Sequence, residues 1–369
     1  MLESFRVAKF RFTVYAREQI RLPDYKGAVF RGGFGYAFKK VVCVVKGKPC
    51  DACLLKQKCI YSYIFETPPP DDTEILRLYP KVPHPFVIEP PVTEKLVFAP
   101  GEALSFHLIL IGNAIDYLPY FIYTFTELGK QGIGSGRGKY DLVQVEGVGL
   151  DGKSVEIYTH KTQTLTNHYP IIQAHQLNHQ GLVPVNKQGV ETDTIINRYQ
   201  ATSSPCAPLY ARDGNGAAKD AENISSWKQG KDIFGEENLK DKITISLRTP
   251  LRIRFDGQIT DSLEFHVLLR NLLRRISSLS YFHCGEKLDM DFRGLIEKAR
   301  AVRQTASDIH WYDWSRYSTR QEEWMSLGGI LGNVSYEGDL SDFMTLLRLG
   351  EYIHVGKGTS FGLGKYEVL

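Results

Sequence analysis

Two stretches, LGKQGIGSGRGKYDLVQV at 128–145 and IHVGKGTSFGLGKYEVL at 353–369, are built nearly alike. Each places a G-K near the end of a helix-like run, then small residues, then G-x-G-K-Y opening an alternating apolar tail. Glycine at such density supplies positive φ angles and lets another group approach the main chain closely. One copy closes each half of the chain, so whatever fold one half adopts, the other must repeat.

The flanking segments follow one order. FRVAKFRFTVYA at 5–16 alternates as a strand, and YKGAVFRGGFGYAFKKVVC at 25–43 carries Val29, Phe30, Phe34, Ala37, Phe38 and Val41 at helical spacing. KLVFAPGEALSFHLILIG at 95–112 reads as two strands joined by a turn, and 117–132 as a helix running into the first glycine loop. From 241 the order recurs. KITISLRTPLRIRF is a strand, and DSLEFHVLLRNLLRRISSLSYF a helix with Phe265, Leu268, Leu269, Leu272 and Ile276 on one face. One or two short strands fall in 316–338, then a helix enters the second loop and YEVL ends the chain. Strand, helix, strand, strand, helix, strand, twice over, predicts an α+β chain of tandem ferredoxin-like (RRM-like) domains. The boundaries are 1–146, with a cysteine-rich insertion at 43–59, and 241–369, with its glycine loop at 356–364. Residues 147–240, rich in Gly, Ala, Ser and Asp and poor in periodicity, read as a linker or irregular insertion.

At 369 residues, 43% hydrophobic and 24% charged, the composition is that of a globular protein. The N-terminus carries charge too often for a signal core and no segment reads as a membrane span, so the expected compartment is the cytoplasm. A formal charge of +3 does not announce a nucleic-acid binder, but its distribution is uneven: Lys130, Arg137, Lys139, Lys357 and Lys365 crowd the two loops. Successive N–H groups of a glycine-rich turn form an anion-binding concavity. Gly358, Thr359, Ser360, Gly362 and Gly364 with those cations are therefore candidate phosphate contacts, and a tight bend joining helix to edge strand is the structural alternative. Neither loop carries the G-x-x-x-x-G-K-[ST] string of a nucleotide P-loop.

Four of the six cysteines, Cys43, Cys50, Cys53 and Cys59, sit together in CVVKGKPCDACLLKQKC. In a reducing compartment that spacing suits a tetrahedral thiolate site, expected to hold a structural zinc, and an iron–sulfur cluster fits the spacing as well. Four thiolates leave no position for an activated water, so no cofactor is expected in catalysis.

FRGGFGYAFKK, the four early cysteines, GIGSGRGKYDL, WSRYSTRQEEWMSLGGILGNVSYEG and HVGKGTSFGLGKYEV together resemble the CRISPR-associated RAMP superfamily. The nearer likeness is to its precursor-crRNA processing endoribonucleases, in a divergent form with an N-terminal cysteine cluster. The resemblance implies that the chain grips a CRISPR repeat and cuts it once without metal, by 2′-hydroxyl attack that leaves a 2′,3′-cyclic phosphate. The product would be passed to, or held in, an effector complex. Such chemistry needs a proton acceptor and donor, for which histidine is suited, and cations for the phosphorane. His354, just before the second loop with Lys357 behind it, is the first candidate. His266, on a helix face with Arg270 and Arg274, is the second. Many relatives carry a histidine in the first helix, whereas 26–40 has none here; Tyr25, Lys26, Arg31 and Tyr36 are its nearest polar residues. In W311-Y-D-W-S-R-Y-S-T-R-Q, Arg316 and Arg320 could reach phosphate beside stacking aromatics, or brace a scaffold. A noncatalytic RNA-binding subunit of a CRISPR effector complex is the alternative use of the same residues. A structural or small-molecule protein is a third.

Overall fold

A computed structural model describes residues 2–69, 73, 82–91, 93–179, 241–318 and 323–369. The first domain contains β1 (Arg6–Ala16), α1 (Gly27–Val42), β2 (Phe86–Glu89), β3 (Ala103–Ile111), α2 (Leu118–Gln131), β4 (Tyr140–Val148) and β5 (Ser154–Thr159). Its antiparallel sheet runs β2-β3-β1-β4-β5, with Ile172–Gln173 also paired to β1. The second domain contains β6 (Asp241–Leu251), α3 (Phe265–Leu279), α4 (Phe292–Ala301), β7 (Arg303–Tyr312), β8 (Gly329–Gly338), α5 (Met344–Ile353) and β9 (Tyr366–Val368). Its sheet runs β7-β8-β6-β9. Setting β5 aside, both sheets place the fourth strand beside the first, then the third and the second. That is the ferredoxin-like order read from the sequence, twice.

Several boundaries differ. The second strand of the first domain is Phe86–Glu89, between prolines, not part of 95–112; there Val97–Phe98 instead forms a two-stranded ribbon with Ile20–Arg21. The helix α4 and the edge strand β7 were not expected. The segment 147–179 is not irregular, since β5 extends the sheet as a fifth strand. Residues 180–240 of the expected insertion lie outside the described residues.

Strand alternation explains how the domains join. In β2, Phe86 and Ile88 face α1 and α2, in a core with Phe34, Phe106 and Phe121. Val87, with Val7, Ile109 and Ile111 from the same reverse face, belongs to the second domain's core instead. The first sheet is thus sandwiched between its own helices and the second domain, and burial on both faces makes one continuous two-domain body. Glu89, two residues past Val87, inherits that inner face.

The repeated G-x-G-K-Y string also has a packing role. The Tyr140 hydroxyl donates to the Phe125 carbonyl at 2.9 Å, and the Tyr366 hydroxyl donates to the Leu347 carbonyl at 2.7 Å. A Cβ on Gly129 or Gly350 would run into the corresponding tyrosine. In each domain a helix glycine admits the tyrosine that ties the last strand to that helix.

Candidate functional site

The second glycine loop packs mainly against protein. A Cβ at Gly364 would meet the Val355 carbonyl, and one at Gly362 would meet Ile88 and Pro90 of the first domain. Gly362 therefore serves the domain joint and Gly364 the packing within the second domain, and neither lines the cleft described below. In the first loop, side chains at Gly132, Gly134 and Gly138 would strike the backbone of Arg137, Arg21 and Gln19. Lys130 pairs with Glu127 and Lys139 with Glu18. Neither they nor Arg137 line the cleft between the domains.

The leading sequence candidate moves inside. His354 is fully buried, with Nε2 3.1 Å from Glu89 Oε1 and Nδ1 3.1 Å from the Leu363 carbonyl. Lys9 and Lys365 approach Glu89 at 3.2 and 3.0 Å, and His107 at 3.6 Å. Burial pushes the Glu89 carboxyl up, but Lys365, Lys9 and His354 outweigh it and hold the group well below its ordinary value. Burial holds His354 below its ordinary value, against the pull of Glu89. This cluster clamps one domain to the other. It corrects the catalytic reading of His354, whose side chain is out of reach of a phosphate, while the Lys365 ammonium, expected on RNA, is paired with Glu89.

Tyr25 is likewise part of the joint: it is buried, donates to the Phe361 carbonyl at 2.7 Å, and packs against Trp314 with the rings tilted at 40°. Lys26 is buried, with Nζ donating to the Thr93 carbonyl at 2.8 Å. Neither fits the role expected of it. His266 is buried beside Phe255, with Nδ1 3.3 Å from Glu264; burial lowers its pKa, and it lies outside the cleft lining. Arg316 lies on the strand Ser315–Ser318 of a hairpin, and Arg320 lies outside the described residues.

What the structure does assemble is a cleft of about 460 Å³ between the domains. Arg31, Val82, Pro83 and His84 form one wall. The opposite wall comes from α3 through Asn271, Arg274, Arg275 and Ser278, one helical face at i, i+3, i+4 and i+7, with Arg252 and Arg254 beside it. The segment Gly356–Phe361 closes the end, bringing Lys357, Gly358, Thr359 and Ser360 to the lining. Six cationic side chains and no carboxylate are found among the described lining residues. Arg31, Lys357, Arg274, Gly358, Thr359 and Ser360 are thus the sequence candidates that meet, while Arg270 stands just outside.

His84 is the residue the sequence reading passed over. Pro83 and Pro85 hold it extended at the cleft edge, stacked with Phe65 and Phe86 at centroid distances of 6.0 and 5.7 Å. The Thr67 hydroxyl donates to the Val82 carbonyl at 2.9 Å and lies 3.1 Å from His84 Nδ1, while Arg31 Nη2 lies 3.3 Å from Nε2. That pattern is satisfied by one tautomer, with the proton on Nδ1 and the Nε2 lone pair facing the cleft cation. Lys357 is held below its ordinary pKa by partial burial and by Arg254 and Arg252.

The cysteines do not gather. Cys43, Cys50, Cys53 and Cys59 are free and partly buried, and Cys43 donates to the Val45 carbonyl. Among the described residues no three His, Cys, Asp or Glu side chains converge as metal ligands. The four follow one another along the end of α1 and the loop after it, with a single 3₁₀ turn at Cys50–Ala52.

Residues 245–366 match the family model of the CRISPR-associated endoribonuclease Cas6. Residues 5–170 match a model described as an N-terminal domain. An uncharacterized protein of Archaeoglobus fulgidus is 32% identical over 149 residues, 40% of this chain and 48% of that protein. The chain thus spans about half the length of the curated relative it matches. A partial Cas6-RT-Cas1–Cas2 complex aligns over the whole chain and 47% of its own, at TM-score 0.54 and 13% identity. A Cas6 product complex aligns over 98% of this chain and 100% of its own, at TM-score 0.51 and 12% identity. Both likenesses establish the fold, two ferredoxin-like domains docked on one another. No helix among the described residues is long and apolar enough to cross a membrane.

Proposed function

We propose that the chain is a precursor-CRISPR RNA endoribonuclease that holds its repeat RNA in the interdomain cleft. The observation carrying this reading is the six-cation lining with a histidine at its edge. His84 Nε2 takes the proton of the 2′-hydroxyl, whose oxygen attacks the adjacent phosphorus. The P–O5′ bond breaks as the Lys357 ammonium, held below its ordinary pKa by partial burial and the neighbouring arginines, protonates the leaving oxygen. The products are a 2′,3′-cyclic phosphate and a 5′-hydroxyl. Arg31 leaves His84 for the phosphate, and with Arg274 neutralises the charge building there. Thr67 and its bond to Val82 hold the imidazole in the required tautomer. Release to an effector complex follows in this reading.

Incubating the protein with cognate repeat RNA in excess EDTA and mapping the ends tests it. One cut with a cyclic phosphate, slowed roughly 10²–10⁴-fold by His84→Ala, is the expected result. Wild-type cutting by His84→Ala would remove His84 from the mechanism, and tight binding with intact RNA would favour the noncatalytic subunit. Zinc at Cys43, Cys50, Cys53 and Cys59 is part of the same proposal and requires the thiols to draw together. It predicts one metal per chain, lost in Cys50→Ser, and metal-free protein would end it.

A further inference from the structure

Beside the cleft lies a second hollow of about 470 Å³, lined by the hairpin tip Arg254–Gly257 and by Arg270, Asn271 and Arg274 of α3. It shares Arg254, Asn271 and Arg274 with the cleft, so the two lie side by side. The hairpin pairs Ile253–Phe255 with Gln258–Thr260. Its tip is the two-residue turn Asp256-Gly257, with φ of 45° and 83°, the conformation that a tight Asp-Gly hairpin demands. Asn271 Nδ2 donates to the Arg254 carbonyl at 2.9 Å and ties the hairpin to the helix.

The hollow therefore presents a fixed aromatic ring among exposed cations. The Arg270 guanidinium stands 5.7 Å from the centroid of Phe255, and the His266 ring meets Phe255 edge-on at 5.5 Å, bracing it from within the domain. Three exposed arginines face one acid, Asp256. A cationic rim over an aromatic floor, opening from a channel for phosphates, is suited to an unpaired base with its phosphate, whereas the faces of duplex bases are covered by stacking.

We propose that this hollow binds a single unpaired nucleotide flanking the cut, its base on Phe255 and its phosphate between Arg254 and Arg270. The proposal rests on the reading of the cleft as an RNA site. It gives the enzyme a requirement for single-stranded RNA on one side of the scissile phosphate.

The test places an abasic residue at each flanking position of the repeat in turn, and measures cleavage and binding by wild type, Phe255→Ala and Arg270→Gln. One position is expected to weaken wild-type KM and binding roughly tenfold while leaving kcat within twofold. Phe255→Ala loses that penalty, and Arg270→Gln, at an exposed site with no part in the chemistry, lowers the salt dependence of binding by about one ion. Cleavage with no penalty at any flanking position, or an undiminished penalty in Phe255→Ala, overturns the subsite but leaves the nuclease standing. RNA bound intact, with the position-specific penalty present, sinks the nuclease and keeps the subsite.

Discussion

Glu89→Gln keeps the shape of the buried carboxylate and an acceptor for His354, and removes only its charge. Lys9 and Lys365, with side chains 20% exposed, then lose their counter-ion at the domain joint. Stripping one partner from a wholly buried pair costs about 3–5 kcal/mol. Water reaching the two lysines offsets part of this, so about 2–3 kcal/mol is expected. For a body of this size each kcal/mol moves the midpoint by about 1–2 °C, giving a drop of about 2–6 °C in thermal unfolding at pH 7. The sign with pH is fixed. A carboxyl whose folded pKa is depressed contributes stability above its ordinary value of 4.5 and loses it as pH falls through the depressed value. The gap between wild type and Glu89→Gln should therefore be full at pH 7 and close below about pH 4.5. Equal midpoints at pH 7, or a gap that widens in acid, would refute the claim that this ion cluster clamps the domains.

Gly350→Ala should destabilise by about 1–3 kcal/mol in urea, because its methyl would meet the Tyr366 hydroxyl; a gain in stability from helix propensity would contradict the clamp. Burial brings His283 down to about 4, with Nε2 2.8 Å from the Pro83 carbonyl across the domain boundary. A buried histidine kept neutral costs stability as pH falls from its ordinary 6.5 toward 4, at about 1.4 kcal/mol per unit, so wild type should lose stability more steeply there than His283→Gln. Parallel curves would show that His283 protonates freely. Arg275 donates from Nε to the Ile353 carbonyl, leaves Nη2 buried without a hydrogen-bond partner, and is pushed by burial down to about 9. Arg275→Met is expected to match or exceed wild-type stability without RNA, while weakening RNA binding and lowering its salt slope by about one. An unchanged slope would assign Arg275 to packing alone.

What the sequence disclosed depended on whether one stretch of chain settled the matter. α3 was legible because its apolar residues recur at helical spacing over the whole element, and the duplicated order followed once both loops were aligned. β7 was not, since Arg303–Ser307 and Asp308 are exposed and an edge strand in contact with water need not alternate. The strand Phe86–Glu89 is apolar on both faces except at Glu89, a pattern that points to burial but not to what lies beyond it. His354 was misplaced, and His84 passed over, for the same reason. A histidine beside a glycine loop looks open until the other domain covers it, and one between two prolines looks idle until the same docking makes it a cleft wall.

The two loops show how far a shared string can diverge in role. Both tyrosines of G-x-G-K-Y make the same bond to the preceding helix, so that part of the pattern belongs to the fold. The lysine before each tyrosine differs only in its partner. Lys139 meets Glu18, whose side chain is half exposed, while Lys365 meets Glu89, whose side chain is 4% exposed. Geometry that is ordinary surface in the first domain thus becomes a buried joint in the second, because the first domain's sheet lies against it. The same docking sets Lys357–Ser360 opposite Arg31 and His84. If the cleft is the site of cutting, Glu89→Gln should therefore slow RNA cleavage as well as lower stability, although Glu89 touches no RNA. Cleavage unchanged in a protein whose midpoint has fallen would show that the joint holds the domains without aligning the cleft.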